Sequence, residues 1–276
     1  MNYFEERIPK YFARYPIGLL MGMVIWLASC GSTNETVTPS GPQQLEFPNC
    51  ELSRVENTIS SGAVQSYQYT YENNRLVQAD FYTQNEFNSR KTFIYDNQGN
   101  LAYMLGQNDT LSNVQDTIVA YEFKDGLLSK DTHYNPTNKE ILTVTEYTYE
   151  NGFLKTIEVI NNEAGEDKPV AYQVESDERG NPIKVVLSAV NGAPPPITLE
   201  TFYEYDDQFN PYYQFPDFIG ISYFTQNNIV KTTQVLNGQT SVEQNNLTYH
   251  SHGFLQRRRS PTGQGEFVSA FTYQCQ

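Results

Sequence analysis

Short segments in which hydrophobic and polar residues alternate dominate this chain. In EYTYENGFLKTIEVI (residues 146–160), two alternating segments flank an Asn-Gly pair. Successive side chains of a strand point to opposite faces, and Asn-Gly favours a two-residue type I′ turn. The pattern predicts a β-hairpin in which Tyr149 faces Leu154 across the strands. Asp125-Gly126 predicts a second such turn, with Phe123 facing Leu128.

The same hairpin pattern recurs along the chain. The copies are YTYENNRL (69–76), FIYDNQGNL (93–101), YEFKDGLL (121–128), YTYENGFL (147–154), YQVESDERGNPI (172–183), YEYDDQFNP (203–211), a degenerate ISYFTQNNI (221–229), LTYHSHGFL (247–255) and a truncated FTYQ (271–274). The second aromatic position recurs mostly every 24 to 28 residues, a period typical of repeated supersecondary units. Because no segment shows sustained helical periodicity, we predict an all-β, antiparallel meander of about 16 strands.

These hairpins favour either one strongly curved sheet or a closed, barrel-like fold, since closure removes exposed strand edges. The main irregularity is NPYYQFPDFIG (210–220), where two prolines and a cluster of aromatic residues break the alternation. We predict a loop or a short helical insert there, which covers an open end of the sheet or packs against it.

The first 29 residues have the layout of a secretory signal. Three cations precede an apolar run, residues 17–28, that is too short to span a bilayer. The run ends in LASC, which resembles the lipobox of bacterial lipoproteins and implies cleavage before Cys30 and its acylation. An ordinary signal peptide and an N-terminal membrane helix are the alternatives. We therefore expect partnership with a membrane through a lipid anchor at Cys30.

Residues 30–44 are small, polar and proline-containing, which is typical of a flexible tether. The folded part is then predicted to be one β-repeat domain, residues 45–276. From residue 30 onward, 15 Lys and Arg face 30 Asp and Glu, a net charge of about -15 against -14 for the full chain. Such a surface repels polyanions, so nucleic acid is not an expected partner.

Once Cys30 is acylated, Cys50 and Cys275 are the remaining cysteines, near the two ends of the predicted domain. In an oxidising envelope compartment the pair is predicted to form a disulfide, with two unpaired thiols as the alternative. A disulfide would bring the first and last strands together. This favours a closed or nearly closed sheet.

Two groups of residues are candidates for ligand binding. The aromatic residues of the insert could stack on sugar rings or anchor a protein partner, with packing in the core as the alternative; they are Tyr212, Tyr213, Phe215 and Phe218. Arg257 and Arg259 should share one face of a strand and could hold an acidic sugar or a carboxylate, or else pair with neighbouring acidic residues.

Other motifs are weaker. His250 and His252 could bind a metal, but they fall in a turn with no third ligand, so we predict a solvated loop and no metal site. Thr110 and Thr117 lie in Asp-Thr-aliphatic triplets that resemble an O-glycosylation signal of gut-type bacteria. Because no nucleophile elbow, P-loop, dinucleotide fingerprint or HExxH motif is present, we expect neither catalysis nor a cofactor.

The YxYDxxGxL pattern resembles the YD repeats of the RHS type, although the chain is far too short for a toxin-enclosing shell. The combination of lipobox, YxYD hairpins, NPYY, QNNIVK (226–231) and a terminal YTYxC-like ending resembles small lipoproteins of unknown function from gut-type Gram-negative bacteria. That resemblance implies a porin-like β fold over residues 45–276. It implies no chemistry, because the group has no established activity.

The expected function is that of a lipid-anchored envelope protein that binds a glycan or an envelope protein without catalysis. The expected location is the outer membrane, on its periplasmic side or at the cell surface. The alternatives are a structural or assembly lipoprotein without a small ligand and, less favoured, an envelope glycan hydrolase. An integral pore is disfavoured, because outward strand positions carry charged residues such as Glu72 and Lys124.

Overall fold

The computed structural model describes residues 50–59, 61–107, 115–163, 166–195, 197–217, 220–262 and 265–275. The predicted signal segment (1–29), the predicted lipidation site Cys30 and the predicted tether (30–44) lie outside the described residues. The helix content of the described part is one short 3₁₀ helix, Ile221–Phe224. None of the described residues forms a helix long and apolar enough to cross a membrane.

Seventeen strands make up a single antiparallel sheet. They are β1 Cys50–Thr58, β2 Val64–Glu72, β3 Arg75–Thr83, β4 Glu86–Tyr95, β5 Leu101–Gln107, β6 Asp116–Lys124, β7 Leu127–Tyr134, β8 Ile141–Glu150, β9 Phe153–Glu163, β10 Glu166–Ser176, β11 Pro182–Val190, β12 Leu199–Phe209, β13 Asn227–Leu236, β14 Gln239–Gln244, β15 Asn246–Tyr249, β16 Leu255–Thr262 and β17 Gly265–Cys275.

Except between β14 and β15, each strand pairs with its neighbour in sequence, and β1 pairs with β17, so the sheet closes into a nearly complete barrel. The discontinuity lies at Asn245, where β14 pairs with β13 and β15 pairs with β16. Asn245 donates its backbone N–H to Val230 O of β13 at 2.8 Å. The segment β14–Asn245–β15 therefore lies between β13 and β16, pairing first with one and then with the other. The predicted meander and its closure are confirmed.

Cys50 and Cys275 are direct partners in the ladder between β1 and β17, and they form the predicted disulfide. The bond therefore fastens the seam at which the barrel closes. The seam continues to the pair Thr58 and Val268 at the far end of β1.

The repeated turns lie together at one end of the barrel, which we call the mouth. They are the turns after β2, β4, β6, β8, β10 and β15, and the insert after β12 and the disulfide lie at this end too. Asn151, Gly152, Asp125 and Gly126 all have positive φ, as the predicted type I′ turns require. The expected cross-strand pairs of Tyr149 with Leu154 and of Phe123 with Leu128 are present.

The aromatic residues of the repeats point into the barrel and build its core. Tyr69, Tyr121 and Tyr147, the first aromatic residues of three hairpins, are each 8% exposed. They pack with branched aliphatic residues from all around the sheet, including Val55 and Val185 at 1% exposure. The inner face of the barrel is therefore an apolar core that excludes water. Barrels of about 16 to 18 strands usually enclose an aqueous channel, so this filling by side chains sets the present barrel of 17 strands apart from them.

In five of the repeats the second aromatic residue is a tyrosine whose hydroxyl binds the backbone of an earlier strand or turn. Tyr hydroxyls donate to backbone oxygens 18 to 23 residues earlier, in the bonds Tyr71 to Leu52 (2.9 Å), Tyr95 to Leu76 (2.9 Å), Tyr149 to Leu128 (2.7 Å), Tyr205 to Pro182 (2.5 Å) and Tyr273 to Leu255 (2.9 Å). Four of the acceptors are leucines. Three of them, Leu76, Leu128 and Leu255, are the last residues of the preceding repeats. At these five positions Tyr does what Phe could not, since the ring fills space and its hydroxyl joins neighbouring parts of the sheet.

The insert between β12 and β13 folds into the mouth and covers the lumen, which is one of the two predicted arrangements. Its Phe215 meets Tyr69 edge to face at 4.9 Å between ring centroids. Asp217, whose side chain is 2% exposed, forms an ion pair with Lys91 of β4 at 2.6 Å. Burial lowers the pKa of Lys91, but the charge of Asp217 and its hydrogen bond outweigh this and raise it.

Buried asparagines fasten both ends of the insert. At its start, Asn210 donates from Nδ2 to Ser222 O and Thr225 O, each at 2.8 Å. At its end, Asn181 Oδ1 accepts from the backbone N–H of Gln226 at 2.7 Å. Gln226, the residue before β13, therefore anchors the end of the insert to the turn after β10.

Candidate functional site

A cavity of about 430 Å³ lies in the mouth, between the insert and the arc of turns from β2 to β11. We call it the mouth cavity. Small-molecule sites are typically concave, largely apolar and about 300 to 1,000 Å³ in volume, so its size is within the range of such sites.

One wall of the mouth cavity carries an aromatic residue from each of four successive hairpins. Half-buried rings of Tyr71, Tyr95, Phe123 and Tyr149 stand side by side, above the buried leucines Leu76, Leu101, Leu128 and Leu154. The three tyrosine hydroxyls are held by backbone carbonyls in the bonds described above. The wall therefore offers ring surfaces in fixed positions, and these side chains would lose little conformational entropy when a ligand binds.

The opposite wall belongs to the insert. It comprises Tyr213, Gln214, Phe215, Pro216, Tyr223, Phe224 and Gln226. Phe224 is held against Tyr147 of the core at 5.1 Å between ring centroids. Gln226 is fixed because its Nε2 donates to Arg179 O at 2.9 Å. Burial raises the pKa of Tyr213, and a hydrogen bond with Gln226 partly offsets this, so Tyr213 stays neutral and can donate or accept.

Two arginines stand at the rim of the mouth cavity. Arg75 begins β3, and its guanidinium carbon lies 5.5 Å from the centroid of the Tyr95 ring. Gly99, whose φ of 91° favours glycine, leaves space for this side chain, because a Cβ at position 99 would lie 2.5 Å from Arg75 Nη2 and would displace the guanidinium. Arg179 lies in the turn after β10, on the other flank of the arc.

The structure separates the aromatic residues that the sequence grouped together. Tyr213 and Phe215 line the mouth cavity. Tyr212 is 4% exposed and packs against Phe271 of β17 at 5.8 Å between centroids, so it belongs to the core. Burial raises the pKa of Tyr212 to about 12, although nearby Arg258 lowers it. Phe218 lies outside the described residues.

The arginine run of β16 alternates as predicted. Arg257 and Arg259 are exposed on the outer face, while Arg258 is half-buried and points inward. Arg259 lies 3.5 Å from Glu266 of the neighbouring strand, the pairing weighed as the alternative to a ligand site. Neither Arg257 nor Arg259 lines the mouth cavity.

The remaining candidates lie apart from this site. His250 meets the Tyr273 ring edge to face at 6.1 Å, and His252 contacts Ser251 in the exposed turn after β15. The described residues contain no group of three or more His, Cys, Asp or Glu able to hold a metal. Thr117 is half-buried within β6, and Thr110 lies outside the described residues.

Sequence reasoning missed most residues of the mouth cavity. Arg75 and Arg179 occupy ordinary turn positions, and only the repeat alignment could have placed them at one end of the barrel. The four wall aromatics were recognised as repeat residues, but their common wall depends on closure of the sheet.

Two solved structures share this architecture over nearly their whole length. A porin-like protein from Bacteroides uniformis superposes with a TM-score of 0.52 at 11% identity and covers 81% of this chain and 98% of that chain. The fold is porin-like. A porin-like protein from Bacteroides vulgatus has a TM-score of 0.50 at 11% identity and covers 80% of this chain and 98% of that chain. No protein-family model and no curated protein matches the chain.

A third solved structure, the Tc holotoxin pore of Photorhabdus luminescens, has a TM-score of 0.32 at 15% identity and covers 74% of this chain and 9% of that chain. In the present porin-like barrel, side chains fill the lumen and the insert covers its mouth. The described residues thus offer a cavity at the mouth, not an open channel through the sheet.

Proposed function

We propose that the protein is a non-enzymatic, glycan-binding module that is anchored to the cell envelope through a lipid on Cys30. The mouth cavity carries this proposal, because its two facing walls are built of aromatic rings on rigid elements. Sugar rings stack on such surfaces through their C–H faces, and amide and phenol groups bind their hydroxyls. Tyr213, Gln214 and Gln226 supply such groups.

The anchor rests on the lipobox and the tether of the sequence. The outer faces of the strands support an anchored domain rather than one that spans the bilayer with its strands. Outward ion pairs join neighbouring strands, namely Lys130 with Glu122 (3.0 Å), Lys184 with Glu200 (3.0 Å) and Lys231 with Glu204 (2.8 Å). Charges on a lipid-facing strand surface are costly, whereas in water they aid solubility.

A binding rather than a hydrolytic role is favoured by the composition of the cavity. Glycoside hydrolysis uses two carboxyl groups that flank the scissile bond. None of the described residues that line the mouth cavity is Asp or Glu. The carboxylates Asp206 and Asp207, which the sequence places side by side, lie outside it, and Asp206 accepts hydrogen bonds from Tyr249 and from the backbone N–H of Asn228.

The proposal predicts that Tyr213→Ala weakens glycan binding by about tenfold or more, because it removes one stacking surface worth roughly 1.4 kcal/mol. The purified full chain would be screened on a broad glycan array, and the affinity of the best hits measured by calorimetry. Tyr103→Ala is the matched control, since Tyr103 is 48% exposed on the outer face of β5.

Retained binding in Tyr213→Ala, with loss in Arg257→Gln or Arg259→Gln, would move the site to the outer face of β16. If no glycan binds at all, the proposal fails and a structural or assembly lipoprotein becomes the better account. Circular dichroism of each variant shows whether the barrel has remained folded.

A further inference from the structure

We infer that the mouth cavity selects a saccharide that carries a carboxylate, and that Arg75 and Arg179 determine this specificity. The inference rests on the proposed function and adds the charge class of the ligand. It starts from an asymmetry of charge. Acidic residues outnumber basic ones by 32 to 18 in the chain, yet the 25 residues that line the cavity include two arginines and no carboxylate.

Neither arginine has its charge neutralised by a partner in the part of the chain that the structure describes. No ion pair to Arg75 or Arg179 is found there, whereas Arg54, Arg90 and Arg259 each have one. Guanidinium groups that are held near apolar surface without an anion are well placed to gain from binding one.

The carboxylates closest in sequence to the two arginines are Glu72, the ladder partner of Arg75, and Glu178, and neither forms an ion pair with them among the described residues. Two other carboxylates in the turns at the rim are committed to their own turns. Asp96 Oδ1 accepts from the backbone N–H of Gln98 and of Asn100, each at 2.8 Å. Asp177 Oδ1 accepts from the N–H of Arg179 at 2.9 Å and of Asn181 at 2.8 Å. These bonds shape the turns and use the carboxylate oxygens of Asp96 and Asp177. Neither carboxylate forms an ion pair with Arg75 or Arg179, whose side chains can therefore bind a ligand.

Arg75 is also oriented in advance. Its guanidinium rests beside the Tyr95 ring, and the absence of a side chain at Gly99 leaves room for it. Contact with a ring uses the face of the guanidinium and leaves its N–H edge free to donate. A planar carboxylate accepts two parallel hydrogen bonds from such an edge, which a neutral hydroxymethyl group cannot do. A uronic acid offers that carboxylate on a ring whose C–H face can stack on the aromatic wall.

The test uses pairs of ligands that differ only at the carboxyl group, which is charged in one and methyl-esterified in the other. Oligogalacturonides and oligoglucuronides would be titrated into the full chain by calorimetry, each as the free acid and as its methyl ester. We expect at least one acid form to bind about tenfold tighter than its ester or more, the size of a hydrogen-bonded charge interaction. Arg75→Gln and Arg179→Gln should remove most of this preference and leave the ester affinity nearly unchanged.

Lys139→Gln is the charge control, since Lys139 lies in the loop after β7 at the opposite end of the barrel. Equal affinity for acid and ester, or a preference that both arginine variants retain, would overturn the inference while the proposed function stands. The same holds if neutral array glycans bind and no uronate does. Failure of every glycan on the array would instead overturn the proposed function itself.

Discussion

Raising the pH above about 10 is expected to unfold the barrel in one cooperative step that releases most of its buried tyrosine protons together. Burial raises the pKa of these phenols above the value they have in an unfolded chain, so the folded state keeps protons that the unfolded state loses. The stability that they confer is complete below pH 10 and is lost as the pH rises toward their folded pKa values. The tyrosines are Tyr69, Tyr121, Tyr147, Tyr203, Tyr205, Tyr212 and Tyr273.

The expected effect is large because it is shared by many groups. Each tyrosine lowers the free energy of unfolding by about 1.4 kcal/mol per pH unit above 10, so the seven together lower it by roughly 10 kcal/mol per unit. That is comparable to the whole stability of a typical domain, about 5 to 15 kcal/mol. The barrel should therefore unfold within about one pH unit.

The measurement is a pH titration followed by far-ultraviolet circular dichroism and by tyrosinate absorbance in the same samples. The two signals should change together, and return to pH 8 should restore both. Ionisation of all the tyrosines, with unchanged circular dichroism, would show that the buried ones are accessible as well and would contradict the packed lumen.

Loss of the Cys50 to Cys275 disulfide is expected to cost about 3 to 5 kcal/mol of unfolding free energy. The bond closes a loop between cysteines that are 225 positions apart, and for so long a loop the chain-entropy estimate is near 5 kcal/mol. The fold should survive, because the ladder between β1 and β17 continues to Thr58 and Val268.

Guanidinium unfolding of the double variant Cys50→Ser/Cys275→Ser would be compared with that of the oxidised chain. The reduced natural chain is the matched control, and it should unfold at the same denaturant concentration as the double variant. Equal stability of the oxidised chain, the reduced chain and the double variant would show that the disulfide does not stabilise the seam between β1 and β17, and would contradict this prediction.

The strands and their turns follow from the sequence because they rest on local chemistry. Period-two alternation predicts the faces, and Asn151-Gly152 and Asp125-Gly126 predict turns whose geometry needs only those residues. Arg257 to Arg259 alternate as expected for the same reason. The disulfide was predictable because few pairings of the cysteines were open.

The candidate site depends on contacts between distant parts of the chain. The bond from Tyr95 to Leu76 O and the cover of the mouth by Phe215 both require the closed sheet. Within the insert, Tyr212 turns to the core and Tyr213 to the cavity, a difference fixed by the bonds of Asn210 and not by residue type. A sequence pattern carries no information about which of two adjacent aromatics faces a ligand.

The central claim is that the mouth cavity is the binding site, and a single fluorescent reporter tests it most directly. Trp26 is the one tryptophan of the chain, so a Trp26→Phe background allows a reporter at one chosen place. Tyr213→Trp puts it in the cavity wall, and Tyr103→Trp puts it on the outer face. Titration with the tightest-binding glycan of the array should change the emission of the first reporter saturably and leave the second unchanged. Saturable binding by calorimetry with no change at the cavity reporter would contradict the claim.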